Sequence, residues 1–151
     1  RGIAYGAFSG CTSLKSINIP DNITAIQQYT FSNCISLKQL VLSKNIKSIE
    51  WGAFENCTLL EKIIIYDKAE DIADNAFEGC DKLTIYGIKG SYAEQYANEH
   101  NIPFEELNNI VDWLYLRRLN VETEVPQSTW IKKFRLIGGK LNGQTSEKKK
   151  R

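Results

Sequence analysis

The sequence predicts an α/β repeat solenoid, in which 23-residue coils stack along one axis. Two observations support this fold class. One Ile, one Phe, one Cys and one Leu each recur at the same constant interval through four repeats. The residue two positions after each Phe is Gly or Asn, and these types adopt positive φ most readily and therefore suit a tight turn. The four registers are Ile3/Ile26/Ile49/Ile72, Phe8/Phe31/Phe54/Phe77, Cys11/Cys34/Cys57/Cys80 and Leu14/Leu37/Leu60/Leu83.

After each Cys, apolar residues follow an L-x-x-L-x-L spacing whose second half alternates, as a short strand does. This is the pattern of a leucine-rich repeat, and it predicts a short parallel sheet on one face of the stack. The predicted strands are Ser16–Pro20, Gln39–Ser43 and Lys62–Tyr66. The fourth coil is irregular and loses about two residues before its strand, as terminal repeats often differ from the others. Four coils, the first of them truncated, therefore occupy residues 1–87.

Residues 88–106 are expected to form a C-terminal cap, because a last coil leaves its apolar surface open. Ser91 and Glu94 form a capping-box pattern that opens a helix reaching about Asn101. One face of this capping helix carries Tyr92, Ala93, Tyr96 and Ala97. We expect that face to lie over the coil of Leu83 and Ile85. The single histidine, His100, is expected to be solvated at the end of the helix.

The constant gap between cysteines predicts a row of buried thiols, one per coil, because free Cys packs as a small hydrophobic residue. One or two disulfides between neighbouring coils are the alternative. A zinc site does not fit, since four ligands in line cannot surround a metal tetrahedrally. The repeats also supply no nucleophile with a base, no carboxylate pair and no phosphate loop. The sequence therefore indicates neither an enzyme nor a cofactor.

The sequence resembles the BspA-type leucine-rich repeat from residue 1 to about residue 106. The segments that carry the resemblance are Tyr5–Pro20, Trp51–Cys57, Asp74–Cys80 and the closing segment Ile85–Phe104. This family occurs in bacterial surface and secreted proteins and in some protozoan surface proteins. The resemblance implies adhesion or ligand binding at a cell surface, an extracellular or surface location, and no catalytic residues.

The outward side chains of the predicted strands form the candidate ligand-binding face. This strand face consists of Asn18, Gln39, Val41, Lys62, Ile64, Tyr66, Thr84 and Tyr86. Its apolar members would make an exposed stripe suited to a protein or another surface macromolecule. Two alternatives remain. A helix over Glu105–Leu119 folds back and covers the stripe, or the β-branched and aromatic residues of the stripe are present only because they favour strands. A rival interpretation makes the whole chain a structural spacer or end-cap of a larger surface protein, with no ligand site of its own.

Residues 107–151 lie outside the repeat pattern. Apolar residues at helical spacing predict a helix over Glu105–Leu119. Val121–Val125 alternates and Trp130–Ile137 can return as a second strand, so residues 107–137 are interpreted as a helix and a hairpin of unknown role. Residues 138–151 are predicted to be a flexible basic tail, because residues 132–151 carry eight Lys or Arg and one Glu. No aromatic residues are interleaved with the terminal basic run, residues 148–151, so nucleic acid is not favoured as a partner.

The chain contains no Met and begins within a repeat, so we expect it to be a piece of a longer protein. Its first coil, at Ile3, would be uncovered in isolation and could pair with another copy of the chain. The sequence contains no apolar run long enough to cross a bilayer and no recognisable signal peptide.

Overall fold

A computed structural model describes residues 2–107 as a stack of coils with two parallel sheets and one helix. The elements are β1 (Gly2–Ile3), β2 (Ala25–Ile26), β3 (Gln39–Val41), β4 (Ser48–Ile49), β5 (Lys62–Ile65), β6 (Asp71–Ile72), β7 (Thr84–Gly87), α1 (Tyr92–Glu99) and β8 (Phe104–Glu106). One sheet has the order β1-β2-β4-β6 and the other β3-β5-β7-β8, and every pairing is parallel. The predicted solenoid is confirmed.

The phenylalanines form one continuous stack through the interior. Successive rings from Phe8 to Phe77 lie 5.3, 5.3 and 5.2 Å apart and are within 12° of parallel. Each coil is joined to the next at the same point, because the amides of Phe8, Phe31 and Phe54 each donate to the equivalent carbonyl of the following coil, at 2.8 Å. Side chain and backbone therefore repeat together, which is what a strict period requires.

The cysteines form a second row beside the rings, as the sequence predicts. All four are free thiols. Cys34, Cys57 and Cys80 each donate from Sγ to a phenylalanine carbonyl oxygen of the preceding coil, at 3.2, 3.1 and 3.0 Å. The thiols are therefore hydrogen-bonded to the backbone inside the core, and Cys34 and Cys57 are fully buried.

The turn after each phenylalanine is left-handed. Gly10, Asn33, Asn56 and Gly79 all have positive φ, between 59° and 81°. Gly79 also has no room for a side chain, since a Cβ there would lie 2.5 Å from Oδ1 of Asn56. These positions confirm the predicted turn.

Two features of the sheets differ from the prediction. The isoleucine register, predicted only as a core position, forms a second sheet of two-residue strands, so the coils carry sheets on two faces. The segment Ser16–Pro20 lies outside the strands. Pro20 lacks the amide hydrogen that a ladder needs. The residues just after this segment are joined to the next coil by side chains: Asn45 Nδ2 donates to the carbonyl of Asp21 at 2.8 Å, and Ser43 Oγ to that of Ile23 at 3.0 Å.

The last coil is shortened by one position where the sequence predicts a loss of about two. Gln39 pairs with Lys62 and Lys62 pairs with Thr84, so the second interval is one position shorter than the first. The cap then adds an unpredicted strand, β8, which pairs Phe104 with Ile85. The predicted helix over Glu105–Leu119 is therefore wrong at its start, because Glu105 and Glu106 are in a strand. Pairing with β7 outweighs the local helical spacing there, and the rest of that prediction lies outside the described residues.

The capping helix α1 begins as predicted but ends earlier. Ser91 is the N-cap and accepts from the amide of Glu94 at 3.4 Å, while the Glu94 carboxylate accepts from the amide of Gly90 at 3.3 Å. The helix ends at Glu99 instead of about Asn101, because Asn101 takes a left-handed φ of 56°. Ala93, Tyr96 and Ala97 are buried, and the predicted apolar face covers the last coil.

Candidate functional site

The strand face is assembled in rows, as its alternation predicts. Gln39, Lys62 and Thr84 pair in register across β3, β5 and β7. Val41, Ile64 and Tyr86 form a second row in the same way, two positions further along. Asn18 lies on the first coil, outside the paired strands. Six of the eight candidate residues thus lie in the three paired strands, and the seventh, Tyr66, directly follows β5.

The apolar part of the strand face is not exposed, so that expectation is wrong. Val41 retains 4% and Ile64 only 1% of its surface. Tyr66, Tyr86 and Leu107 pack against these two residues in a small cluster separate from the main core. A contact with a partner can therefore reach the half-buried tyrosines and the polar row, but not Val41 or Ile64 directly.

Leu107 bears on the alternative in which a later segment covers the strand face. Its amide donates to the carbonyl of Gly87 at 2.8 Å, which holds the residue beside the cluster as the chain leaves β8. The residues after Leu107 are outside the described part of the chain. The burial of Val41 and Ile64 thus arises partly from the residue that directly follows β8.

A cleft of about 470 Å³ lies between the last coil and the cap, with Asp74, Cys80, Tyr96 and His100 among its lining residues. His100 is not the solvated end residue that the sequence predicts. Its side chain is 25% exposed, and Nε2 lies 3.3 Å from Oδ1 of Asp74, a contact that becomes an ion pair when the imidazole is protonated. Its Nδ1 is 2.9 Å from the carbonyl oxygen of Tyr96. The residue therefore ties the helix end to the last coil.

Tyr96 is the other side chain that holds the cap. Its ring packs edge-on against Phe77 at 6.1 Å and stacks on the His100 imidazole at 3.9 Å. Its hydroxyl lies 3.0 Å from the carbonyl oxygen of Ala73 and 3.2 Å from that of Asp74, and it donates its one hydrogen between them. Burial raises the pKa of the Tyr96 phenol, which stays a donor. Tyr96 and His100, which line the cleft, therefore hold α1 against the last coil.

The thiols of Cys34, Cys57 and Cys80 are hydrogen-bonded to backbone carbonyls within the core. Burial raises the pKa of the Cys34 thiol from its ordinary 9.0 to about 11, which keeps it protonated and poorly nucleophilic. Within residues 2–107, no group of three or more His, Cys, Asp and Glu side chains could hold a metal ion.

A surface that the sequence analysis did not identify lies at the phenylalanine turns. We call it the aromatic edge and define it as Tyr5, Tyr29 and Trp51. Tyr5 is 66% and Trp51 60% exposed. The Tyr5 and Tyr29 rings lie 5.9 Å apart, and the Tyr29 amide donates to the carbonyl of Trp51 at 3.0 Å. Three successive coils thus place an aromatic side chain at one edge of the stack.

Tyr29 adopts a backbone conformation that is rare for an aromatic residue. Its φ is 56°, while the residues one coil before and one coil after it, Gly6 and Gly52, both have φ of 59°. A left-handed conformation costs an L-residue roughly 1–2 kcal/mol. The ring lies over the following coil, where a Cβ on Gly52 would be 2.5 Å from Cε1 of Tyr29. The sequence contains one indication of this conformation, because Tyr29 occupies the position that is glycine in the coils before and after it, at Gly6 and Gly52.

Comparison with known proteins supports the architecture. A model of the BspA type leucine rich repeat region matches residues 1–108 in six copies. The chain belongs to the BspA-type leucine-rich repeat family. A crystal structure of a leucine rich cell surface protein from Faecalibacterium prausnitzii A2-165 is similar to it, with a TM-score of 0.56 and 33% sequence identity. That match covers 62% of this chain and 24% of the other, so the matched part corresponds to about a quarter of that protein. A search of curated proteins found no match.

The BspA-type repeats described here contain no membrane-spanning helix. The one helix among residues 2–107 has eight residues, far fewer than the roughly 20 that a bilayer core requires.

Proposed function

We propose that this chain is a non-enzymatic interaction module of a surface or secreted protein, adhesin-like in its role. It would bind a protein or another surface macromolecule through the strand face. Membership of the BspA-type family supports the proposal, as does the likeness to a cell surface protein. An extracellular or surface location belongs to the same proposal.

One observation carries the proposal: the polar row and the tyrosines occupy fixed, regularly spaced positions on three coils. Gln39, Lys62 and Thr84 are half-buried and follow the sheet spacing of roughly 4.8 Å. Tyr66 and Tyr86 lie beside them and cover Val41 and Ile64. Rigid aromatic side chains next to a row of hydrogen-bonding groups favour a protein contact, because little entropy is lost on binding.

Charge reversal on the strand face tests this proposal most cleanly. The full chain is immobilised and exposed to purified matrix glycoproteins and to surface proteins of the parent cell. Lys62→Glu and Tyr66→Ala should each weaken binding about tenfold or more, as for residues near the centre of an interface. Lys82→Glu makes the same charge change at an exposed turn and should leave binding unchanged.

Binding that survives both strand-face substitutions would place the contact elsewhere. Ile64→Ser is not a suitable contact variant, because Ile64 is only 1% exposed and its loss tests stability.

The spacer or end-cap role is the second candidate, and a specific observation favours it. The apolar residues of the strand face, Val41 and Ile64, are already covered by Tyr66, Tyr86 and Leu107. A spacer needs no free apolar surface except at its ends. Under this interpretation the half-buried side chains of the first coil, such as Ile3 and Phe8, would contact a preceding coil or a second copy of the chain. Sedimentation of the isolated chain over a concentration series would detect that self-association.

A further inference from the structure

The aromatic edge is an exposed surface that the proposed function does not use. Tyr5, Trp51 and Ile35 are the large hydrophobic side chains exposed among residues 2–107. Tyr5 and Trp51 belong to the same register, two coils apart, with Gln28 at the intervening position. Tyr29 lies beside Gln28 and contacts both the Tyr5 ring and the Gly52 backbone. Exposed apolar side chains that group into one patch on a protein surface mark interaction or ligand sites.

The strained backbone of Tyr29 points to the same surface. Glycine at this position would remove the strain, as it does at Gly6 and Gly52 in the neighbouring coils. The ring nevertheless lies over Gly52, at a place where any side chain on residue 52 would collide with it. The positive φ of Gly52 already favours glycine there, and the absence of a side chain also leaves the space that the Tyr29 ring occupies. Strain of this kind concentrates at functional sites, where the surrounding structure fixes the outlier.

The charge of this edge restricts what can bind there. The four phenylalanine turns, residues 4–11, 27–34, 50–57 and 73–80, contain no Lys or Arg. Their charged residues are Glu50, Glu55, Asp74 and Glu78. A purely acidic rim repels nucleic acid, anionic lipid and anionic polysaccharide. The rim supplies carboxylate and amide groups, which hydrogen-bond readily to neutral hydroxyls.

We propose that the aromatic edge binds a neutral, β-linked polysaccharide chain running along the solenoid axis. A pyranose ring has an apolar C–H face that stacks on aromatic rings and a rim of hydroxyls that hydrogen-bond. Successive coils are spaced 5.3 Å apart at the phenylalanines, so Tyr5 and Trp51 are about 10 Å apart along the axis. Two sugar units of an extended β-1,4-linked chain span the same length. Every second ring would therefore meet an aromatic side chain, with Gln28 and Glu50 available to the hydroxyls between them.

Calorimetric titration of the full chain with oligosaccharides tests the proposal. The probes are cellohexaose, xylohexaose, mannohexaose and chitohexaose, with hexagalacturonic acid as the anionic counterpart. We expect at least one neutral hexaose to bind and the anionic one not to bind. Trp51→Ala should weaken that binding about tenfold or more, since stacking on one aromatic side chain can dominate such a small interface. Trp51→Phe retains a ring and should stay within about threefold of the original chain.

Two controls separate binding from folding. Ile35→Ala removes an exposed apolar side chain outside the aromatic edge and should not change the affinity. Tyr29→Gly relieves the backbone strain while deleting the ring, so the chain should remain as stable as before and bind the sugar more weakly. The proposal is overturned if none of the four neutral hexaoses binds, if only the anionic one binds, or if Trp51→Ala and Ile35→Ala bind equally well. None of these outcomes bears on the strand face, which lies in a separate part of each coil.

Discussion

The first and last coils of the stack contain the same residues in the same registers but differ in what covers them. Phe8 has one aromatic neighbour, Phe31, and is half-buried. Phe77 lies between Phe54 and Tyr96 and is 5% exposed. The cysteines follow the same order, since Cys11 is half-buried whereas the later three are buried. Burial in a repeat protein is therefore a property of neighbouring coils more than of the residue itself.

The cap covers the last coil with a helix, α1, at the place where a further coil would otherwise stack. Tyr96 comes from a helix, yet it contacts Phe77 where the next phenylalanine of the stack would be. The Tyr96 ring is tilted by 62° from the Phe77 ring, and its hydroxyl bonds to the backbone of the last coil. A tilted and hydrogen-bonded ring ends the stack, because no further parallel ring can follow it.

The largest expected effect compares the centre of the phenylalanine stack with its start. Phe54→Ala should lower the free energy of unfolding by about 3–5 kcal/mol, since the side chain is fully buried between two rings. Phe8→Ala in the same chain should cost about 1–2 kcal/mol, because this side chain is only half-buried there. Urea unfolding of the full chain measures both. Equal losses would contradict the difference between the centre and the start of the stack.

The cap should show the next largest effect. Tyr96→Ala removes a buried ring from the end of the stack and should cost about 3 kcal/mol or more in free energy of unfolding. Tyr96→Phe keeps the ring and removes only the hydroxyl that bonds to Ala73 and Asp74, so about 1 kcal/mol is expected. Thermal unfolding of the two variants distinguishes packing from hydrogen bonding. If Tyr96→Phe proves as damaging as Tyr96→Ala, the ring is not what closes the stack.

The dependence of stability on pH tests the burial of the Cys34 thiol, which lies one coil inside the start of the stack. The pKa of Cys34 is raised by burial from 9.0 to about 11, so the folded chain holds its proton where the unfolded chain loses it. The Cys34 contribution to stability is therefore complete below pH 9 and is lost as the pH rises toward 11. Cys34→Ala should flatten the fall in unfolding free energy over that interval relative to the original chain. Ser13→Ala, which removes no thiol, serves as the control, and the same pH dependence in both variants would argue against the burial of the Cys34 thiol.

The smallest expected effect concerns the start of the capping helix. Ser91→Ala removes the side chain that accepts from the Glu94 amide and should cost about 1 kcal/mol. Ser13→Ala, at an exposed turn of the first coil, should change stability by much less. Chemical denaturation of both variants provides the measurement. No difference between them would mean that the Ser91 side chain does not stabilise the start of α1.

The core could be predicted from the sequence because each register repeats one residue type at a fixed spacing. The burial of Phe31 and Cys57 could be predicted from the repeat period alone. The isoleucine sheet was missed because a two-residue strand shows no alternation. Strand β8 was missed because Leu107 begins a helical spacing, and the pairing partner of the strand, Ile85, lies far from it in sequence.

The candidate surfaces could be predicted only in part. The rows of the strand face follow from alternation, but whether Ile64 is exposed depends on Tyr66 and Leu107, which come from outside its own row. The aromatic edge depends on Tyr29 adopting a conformation that its residue type disfavours. Residue propensities therefore do not predict the positive φ of Tyr29. The only indication in the sequence is that the equivalent positions of the neighbouring coils, 6 and 52, are glycines.

Rates of thiol labelling test the stacked core most directly. The native chain is treated with a small alkylating reagent at neutral pH, and each cysteine is followed by mass spectrometry of its peptide. Cys11 should react first, and Cys34, Cys57 and Cys80 should react only as fast as the chain unfolds, because their thiols are buried and bonded to backbone carbonyls. Four thiols reacting at one common rate, or fewer than four in the unfolded and unreduced chain, would contradict the account.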